Sequence, residues 1–139
     1  MKTKTLSQLR DADFADSLKA SLKRYRDRNE RPTSTQIIND ALAMRPRRYY
    51  LSYRTVENTI NRISSEPSRR QARHTASRQQ WDELSRAVFR YLARHKDATT
   101  AEAVNHVINF ERPSRFFISE RKARELLRRT LRRKYCFIS

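Results

Sequence analysis

The chain has 139 residues, 32 Lys plus Arg against 15 Asp plus Glu, a formal net charge of +17 and 37% apolar residues. That composition suits one compact domain or two very small ones, with a thin core and a wide basic surface. The absence of glycine excludes P-loops, GxGxxG turns and other glycine-built phosphate cradles, and it argues against hairpin-rich β folds. A lone cysteine, Cys136, excludes an intramolecular disulfide and a cysteine-rich zinc site. No apolar run approaches the roughly 18 residues of a membrane span. The basic start Met1–Leu6 lacks the apolar stretch of a signal peptide.

In chain order, Phe14, Leu18, Leu22 and Tyr25 recur at helical spacing and predict a first helix. Pro32-Thr33-Ser34 breaks the pattern and supplies capping residues for a second helix, from Thr35 to about Met44, which Pro46 ends. Tyr49-Tyr50-Leu51 favours extended backbone, and Ser52 caps a third helix over 53–64. Residues 67–76, polar and led by Pro67, read as a linker. The same plan then returns: Trp81, Leu84, Val88, Tyr91 and Leu92; a break at Asp97–Thr100; a helix from Ala101 to about Phe110; Pro113; Phe116-Phe117-Ile118; and Ser119 capping a helix over 120–134.

The return is a duplication. Residues 45–54 (RPRRYYLSYR) and 112–121 (RPSRFFISER) align at an offset of 67 with five of ten positions identical. At that offset Thr33 meets Thr100, Ile37 meets Val104 and Ala41 meets Ile108, whereas Leu18, Leu22 and Tyr25 meet Leu84, Val88 and Tyr91 at 66. The expected fold is all-α: two tandem three-helix units, 1–66 and 77–139, around the 67–76 linker. Pairing of the two aromatic segments as a minor pair of strands is an option. A fragment of 77–139 folds alone if the units are independent. Residues 1–67 carry a net charge of +6 and residues 68–139 carry +11.

The third helix carries the functional signal. Leu51-Ser52-Tyr53-Arg54-Thr55-Val56 resembles the start of the recognition helix in bacterial helix-turn-helix regulators of the response-regulator output type. Ser52, Arg54, Thr55 and Val56 match that pattern, and Asn58 departs from it near a histidine position; Ser119 and Arg121 repeat it in the second copy. The resemblance implies that each third helix enters a major groove of DNA. Val56 and Ile60, like Ala123 and Leu127, are four apart and face a core. The remaining residues point outward as candidates for base contact: Tyr53, Arg54, Thr55, Asn58 and Asn61, and Arg121, Lys122, Arg124, Glu125 and Arg128. Candidate phosphate contacts are Arg45, Arg47, Arg48, Ser52, Arg112, Arg115, Ser119, Arg129, Arg132 and Arg133. The stretch Arg45–Leu51 is longer than the three or four residues that usually join such helices.

The alternative for the outward residues is a solvated face; Tyr49, Tyr50, Phe116 and Phe117 are expected to pack in the core, with base stacking as their alternative. His74, His95 and His106 lack ligand spacing, and no acid, base and nucleophile converge, so neither a metal, a cofactor nor an enzymatic activity is expected. The expected partner is nucleic acid, foremost double-stranded DNA, and not a membrane. The expected setting is the cytoplasm and nucleoid, with the chain a monomeric internal pseudo-dimer or a homo-oligomer, acting as regulator, packaging protein or phage or mobile-element accessory. RNA or ribosome binding, and assembly with an acidic protein, are the competing readings.

Overall fold

A computed structural model describes residues 4–65 and 75–136. These residues form six helices: α1 (Leu6–Asp27), α2 (Ser34–Leu42), α3 (Tyr53–Ser65), α4 (Thr75–Arg94), α5 (Thr100–Phe110) and α6 (Glu120–Cys136). No helix among them is long and apolar enough to cross a membrane. Most of the 67–76 linker lies outside the described residues, and α4 begins at Thr75.

Local chemistry sets the helix ends. Thr5 with Gln8, and Thr33 with Gln36, form reciprocal capping boxes in which each side chain serves the other's backbone N–H. Thr99 accepts the Glu102 N–H at 3.1 Å. Helix α1 ends with Asn29 at φ 55°, the one positive-φ residue among those described. The Glu30 N–H reaches the Tyr25 carbonyl at 2.9 Å, and that of Asn29 reaches Arg26 at 3.0 Å, a Schellman closure. Glycine usually fills that left-handed position; in a chain without glycine, asparagine takes it.

The repeats of the sequence and the compact units of the fold do not coincide. One unit comprises Met1–Pro46 with Ser114–Ser139, and the other comprises Arg47–Pro113. The first therefore joins α1 and α2 to α6, and the second joins α4 and α5 to α3. The third helix of each half of the sequence thus packs with helices from the other half. The cores record the exchange. Phe14, Leu18, Ile37, Ile38 and Ala41 pack with Phe116, Ile118, Ala123, Leu126 and Leu127. Leu84, Ala87, Val88, Ala103, Val104, Val107 and Ile108 pack with Tyr49, Val56 and Ile60.

The described residues contain no strand, so the expected strand pairing of the aromatic segments is corrected. Those segments instead lead the third helices into their cores. The Phe116 ring meets Phe14 edge-on at 5.2 Å, and its N–H donates to the Leu42 carbonyl at 3.0 Å. Tyr49 is buried, and its hydroxyl donates to Glu83 at 2.9 Å.

The offset between copies also changes. The caps Thr33 and Thr99 place α2 and α5 in register at 66. Ile37, Ile38 and Ala41 thereby correspond to Ala103, Val104 and Val107, all of them buried. The offset becomes 67 only at the end of α5, which runs to 11 residues where α2 has 9.

Each core mixes large and small side chains from both halves of the chain: Ile37 and Ile38 with Ala123 in the first, Ala103 with Val56 in the second.

Two tests follow from this packing. Ile60→Ala should cost about 2–5 kcal/mol and speed amide hydrogen exchange in α4 and α5, while Leu127→Ala loosens α1 and α2; the opposite assignment would contradict the exchange. A fragment of residues 77–139 should give a poorly dispersed NMR spectrum that sharpens when residues 1–66 are added. A well-dispersed spectrum from 77–139 alone would mean that the second repeat closes its own core.

Candidate nucleic-acid interface

In the first unit, α6 is divided lengthwise. Ser119 starts it by accepting the Lys122 N–H at 3.2 Å. Ala123, Leu126, Leu127 and Thr130 are buried on one side, and the Thr130 hydroxyl donates to the Leu126 carbonyl at 2.8 Å. Successive residues turn by about 100°, so Arg121, Arg124, Arg128 and Arg132 fall on the opposite side, and all four are exposed.

That arginine ridge borders the start of α2. Arg124 forms an ion pair with Glu120 at 2.8 Å and donates to the Thr35 hydroxyl at 3.3 Å. Ser34, Arg121, Arg124, Leu127, Arg128 and Leu131 line an open groove of about 440 Å³. Three guanidiniums line this groove beside the N-terminal turn of a nine-residue helix and make it electropositive, because the backbone N–H groups and the helix dipole add to the side-chain charge.

The flank of α6 is neutralised internally. Lys122 pairs with Asp11 on α1 at 3.5 Å and with Glu125 at 3.7 Å, and Arg129 also pairs with Glu125. Lys122, Glu125 and Arg129 are thus engaged with one another and with α1, while Arg121, Arg128 and Arg132 stand outward. The side chain of Arg133 lies outside the described residues. The exchange leaves the division of charge between the two parts unchanged. The unit containing α6 carries a net charge of +11 and its counterpart +6.

In the second unit, Ser52 accepts the Thr55 N–H at 3.2 Å, and its own hydroxyl donates to Thr55 Oγ1 at 2.7 Å. Val56, Thr59 and Ile60 are buried, and Tyr53, Arg54, Thr55, Asn58, Asn61 and Arg62 are exposed. A hydrogen bond to Glu57 holds the Tyr53 phenol above its ordinary pKa, with a smaller contribution from desolvation. The outward face of α3 is therefore rich in amide and hydroxyl groups, where that of α6 is a row of arginines.

The connections preceding these helices repeat one device. Arg48 lies over the Tyr50 ring at 5.7 Å, and Arg115 over Phe117 at 5.9 Å. Arg48 Nε also donates to the Tyr49 carbonyl at 2.9 Å. The first aromatic of each pair enters a core, and the second, half-buried, carries a guanidinium. Arg45, Arg47 and Arg112 are exposed in the same connections.

Sequence reasoning passed over Thr35 and Asp11. Both adjoin α6 through the exchange, and neither is near it in the sequence. Among the described residues no group of three or more His, Cys, Asp or Glu side chains could hold a metal ion. No family model matches the chain, and neither the curated proteins nor the solved structures contain a match to it.

Proposed function

We propose that the protein binds duplex DNA through the outward faces of α3 and α6. The observation that carries this reading is the ridge Arg121, Arg124, Arg128 and Arg132, exposed directly opposite the core face of α6. An excess of positive charge of this size draws an anionic polymer. Arginine adds forked hydrogen bonding to phosphates and guanine edges that lysine lacks.

In each unit a serine-capped third helix packs with the second helix, the relation that the likeness of residues 51–56 to a recognition helix implies. The two helices then divide the work. Helix α6 seats on phosphates through Arg121, Arg128 and Arg132, with Arg121 also in reach of a guanine edge. Helix α3 supplies base readers, Asn58 for adenine and Arg54 for guanine, with a hydroxyl at Thr55. Arg45, Arg47, Arg112 and Arg115, with the capped helix starts at Ser52 and Ser119, add phosphate contacts. A nucleoid or regulatory setting follows from this reading.

The test is a salt titration. Joint replacement of Arg121, Arg128 and Arg132 by Ala should lower duplex affinity for all sequences. It should also flatten the slope of log K against log salt by roughly 2–3, near 0.9 per lost phosphate contact. An unchanged slope removes α6 from the interface. Tighter binding of structured RNA than of duplex DNA at equal salt would replace the DNA reading.

A further inference from the structure

Four rings form a continuous ladder on the surface of the second unit. Helix α4 contributes Tyr91 and His95, and α5 contributes His106 and Phe110, each pair four residues apart and so on one helix face. The Tyr91 centroid lies 4.2 Å from His95 and 4.5 Å from His106, where the planes meet at 29°. His106 lies 5.2 Å from Phe110. Tyr91 and His106 are half-buried, and both ends of the ladder open to solvent. Phe110 is 75% exposed, about twice as much as Tyr53 or Phe89 at 40%.

The first repeat is an internal control for what the fold requires. At the offset of 66 fixed by the caps, Tyr91, His95, His106 and Phe110 correspond to Tyr25, Asn29, Asp40 and Met44. Tyr25 hydrogen-bonds Asp40, which holds its phenol above the ordinary pKa, and Met44 packs half-buried against the core. The same helix pair is thus built without a ladder. In the second unit the longer α5 carries Phe110 outward instead of returning an apolar side chain to the core. Packing accounts for Tyr91 but not for a ring left in water at the end of a stack.

We propose that the His95–Tyr91–His106–Phe110 ladder is a stacking site for an unpaired nucleobase of a single strand, received on the open face of Phe110. A flat aromatic face accepts any base, and base–aromatic stacking tolerates sequence. Cations suited to the strand's phosphates flank the ladder residues in the sequence. Arg94 and Lys96 are exposed on either side of His95 in sequence. Arg90 pairs at 3.6 Å with Glu111, the residue after Phe110, which brings a guanidinium to the Phe110 end. Bases inside a duplex are stacked on one another, so this site takes frayed, looped or single-stranded segments. The site shares with the duplex reading only an anionic polymer as partner, not a helix face.

The test uses the full chain with an oligothymidylate carrying one fluorescent adenine analogue, and in parallel a blunt duplex. Wild type should quench the analogue on binding. Phe110→Ala should abolish the quenching and weaken single-strand binding roughly tenfold without altering duplex affinity, and Phe110→Trp should retain both properties. The Arg121, Arg128 and Arg132 replacement should leave quenching in place. Quenching by wild type without any duplex binding would still support the ladder and would count only against α6. Absent quenching, or equal single-strand affinity of Phe110→Ala and wild type, overturns the proposal. So does a change confined to self-association in sedimentation, which would make a second copy of the chain the occupant of Phe110.

Discussion

Docking of each third helix onto helices from the other repeat is the constraint on which the remaining features depend. Phe116 is its clearest instance. Its ring fills the first core against Phe14, and its N–H ties the incoming segment to the end of α2 at Leu42. Tyr49, bound to Glu83, has the corresponding place in the second core. The segments Ala43–Ser52 and Glu111–Ser119 make the exchange feasible. A turn of three or four residues would fold the third helix straight back on the second, whereas these proline-containing extended segments leave one unit and enter the other. Each core then needs both halves of the chain, which couples the folding of the two repeats.

The same docking explains how α6 bears its charge. Neighbouring arginines at 128, 129 and 132 repel across a single helical turn and weaken an isolated helix. Burial of Ala123, Leu126 and Leu127 offsets that repulsion, whereas exposed ion pairs such as Arg124–Glu120 contribute little. The outward ridge keeps an unfavourable self-energy that bound phosphates would relieve. Under the proposed function, stability and binding are therefore linked, and both fall under salt control. Helix α3, with amides and hydroxyls in place of the ridge, carries less of this strain and less of the attraction.

Much of the local structure was legible in the sequence. Apolar spacing, capping residues and prolines together located the six helices of the described residues, and Thr33, Ser52 and Ser119 cap where their side-chain chemistry predicts. The exposed residues of α3, and Arg121, Arg124 and Arg128 of α6, followed from the positions of Val56, Ile60, Ala123 and Leu127, whereas Lys122 and Glu125, also read as outward, are half-buried on the flank that meets α1. Partner choice was harder to read, because both third helices present the same apolar stripe and either helix pair offers a place for it. A binary apolar pattern does not distinguish the two sets of partners. The Arg-Pro motif fixed the offset at 67 and hid the residue added late in α5. The histidines were weighed as metal ligands, and so the four-residue spacing of Tyr91 with His95 and of His106 with Phe110 passed as scatter.

The exchange is tested most directly by nuclear Overhauser contacts in the full chain with selectively labelled aromatic and methyl groups. The account predicts cross-peaks from the Phe14 ring to Phe116, from Leu18 to residues of α6 and from Val88 to residues of α3. Contacts of Phe14 with Tyr49 and of Leu18 with Ile60, in place of these, would show each repeat closing on its own third helix and would contradict it.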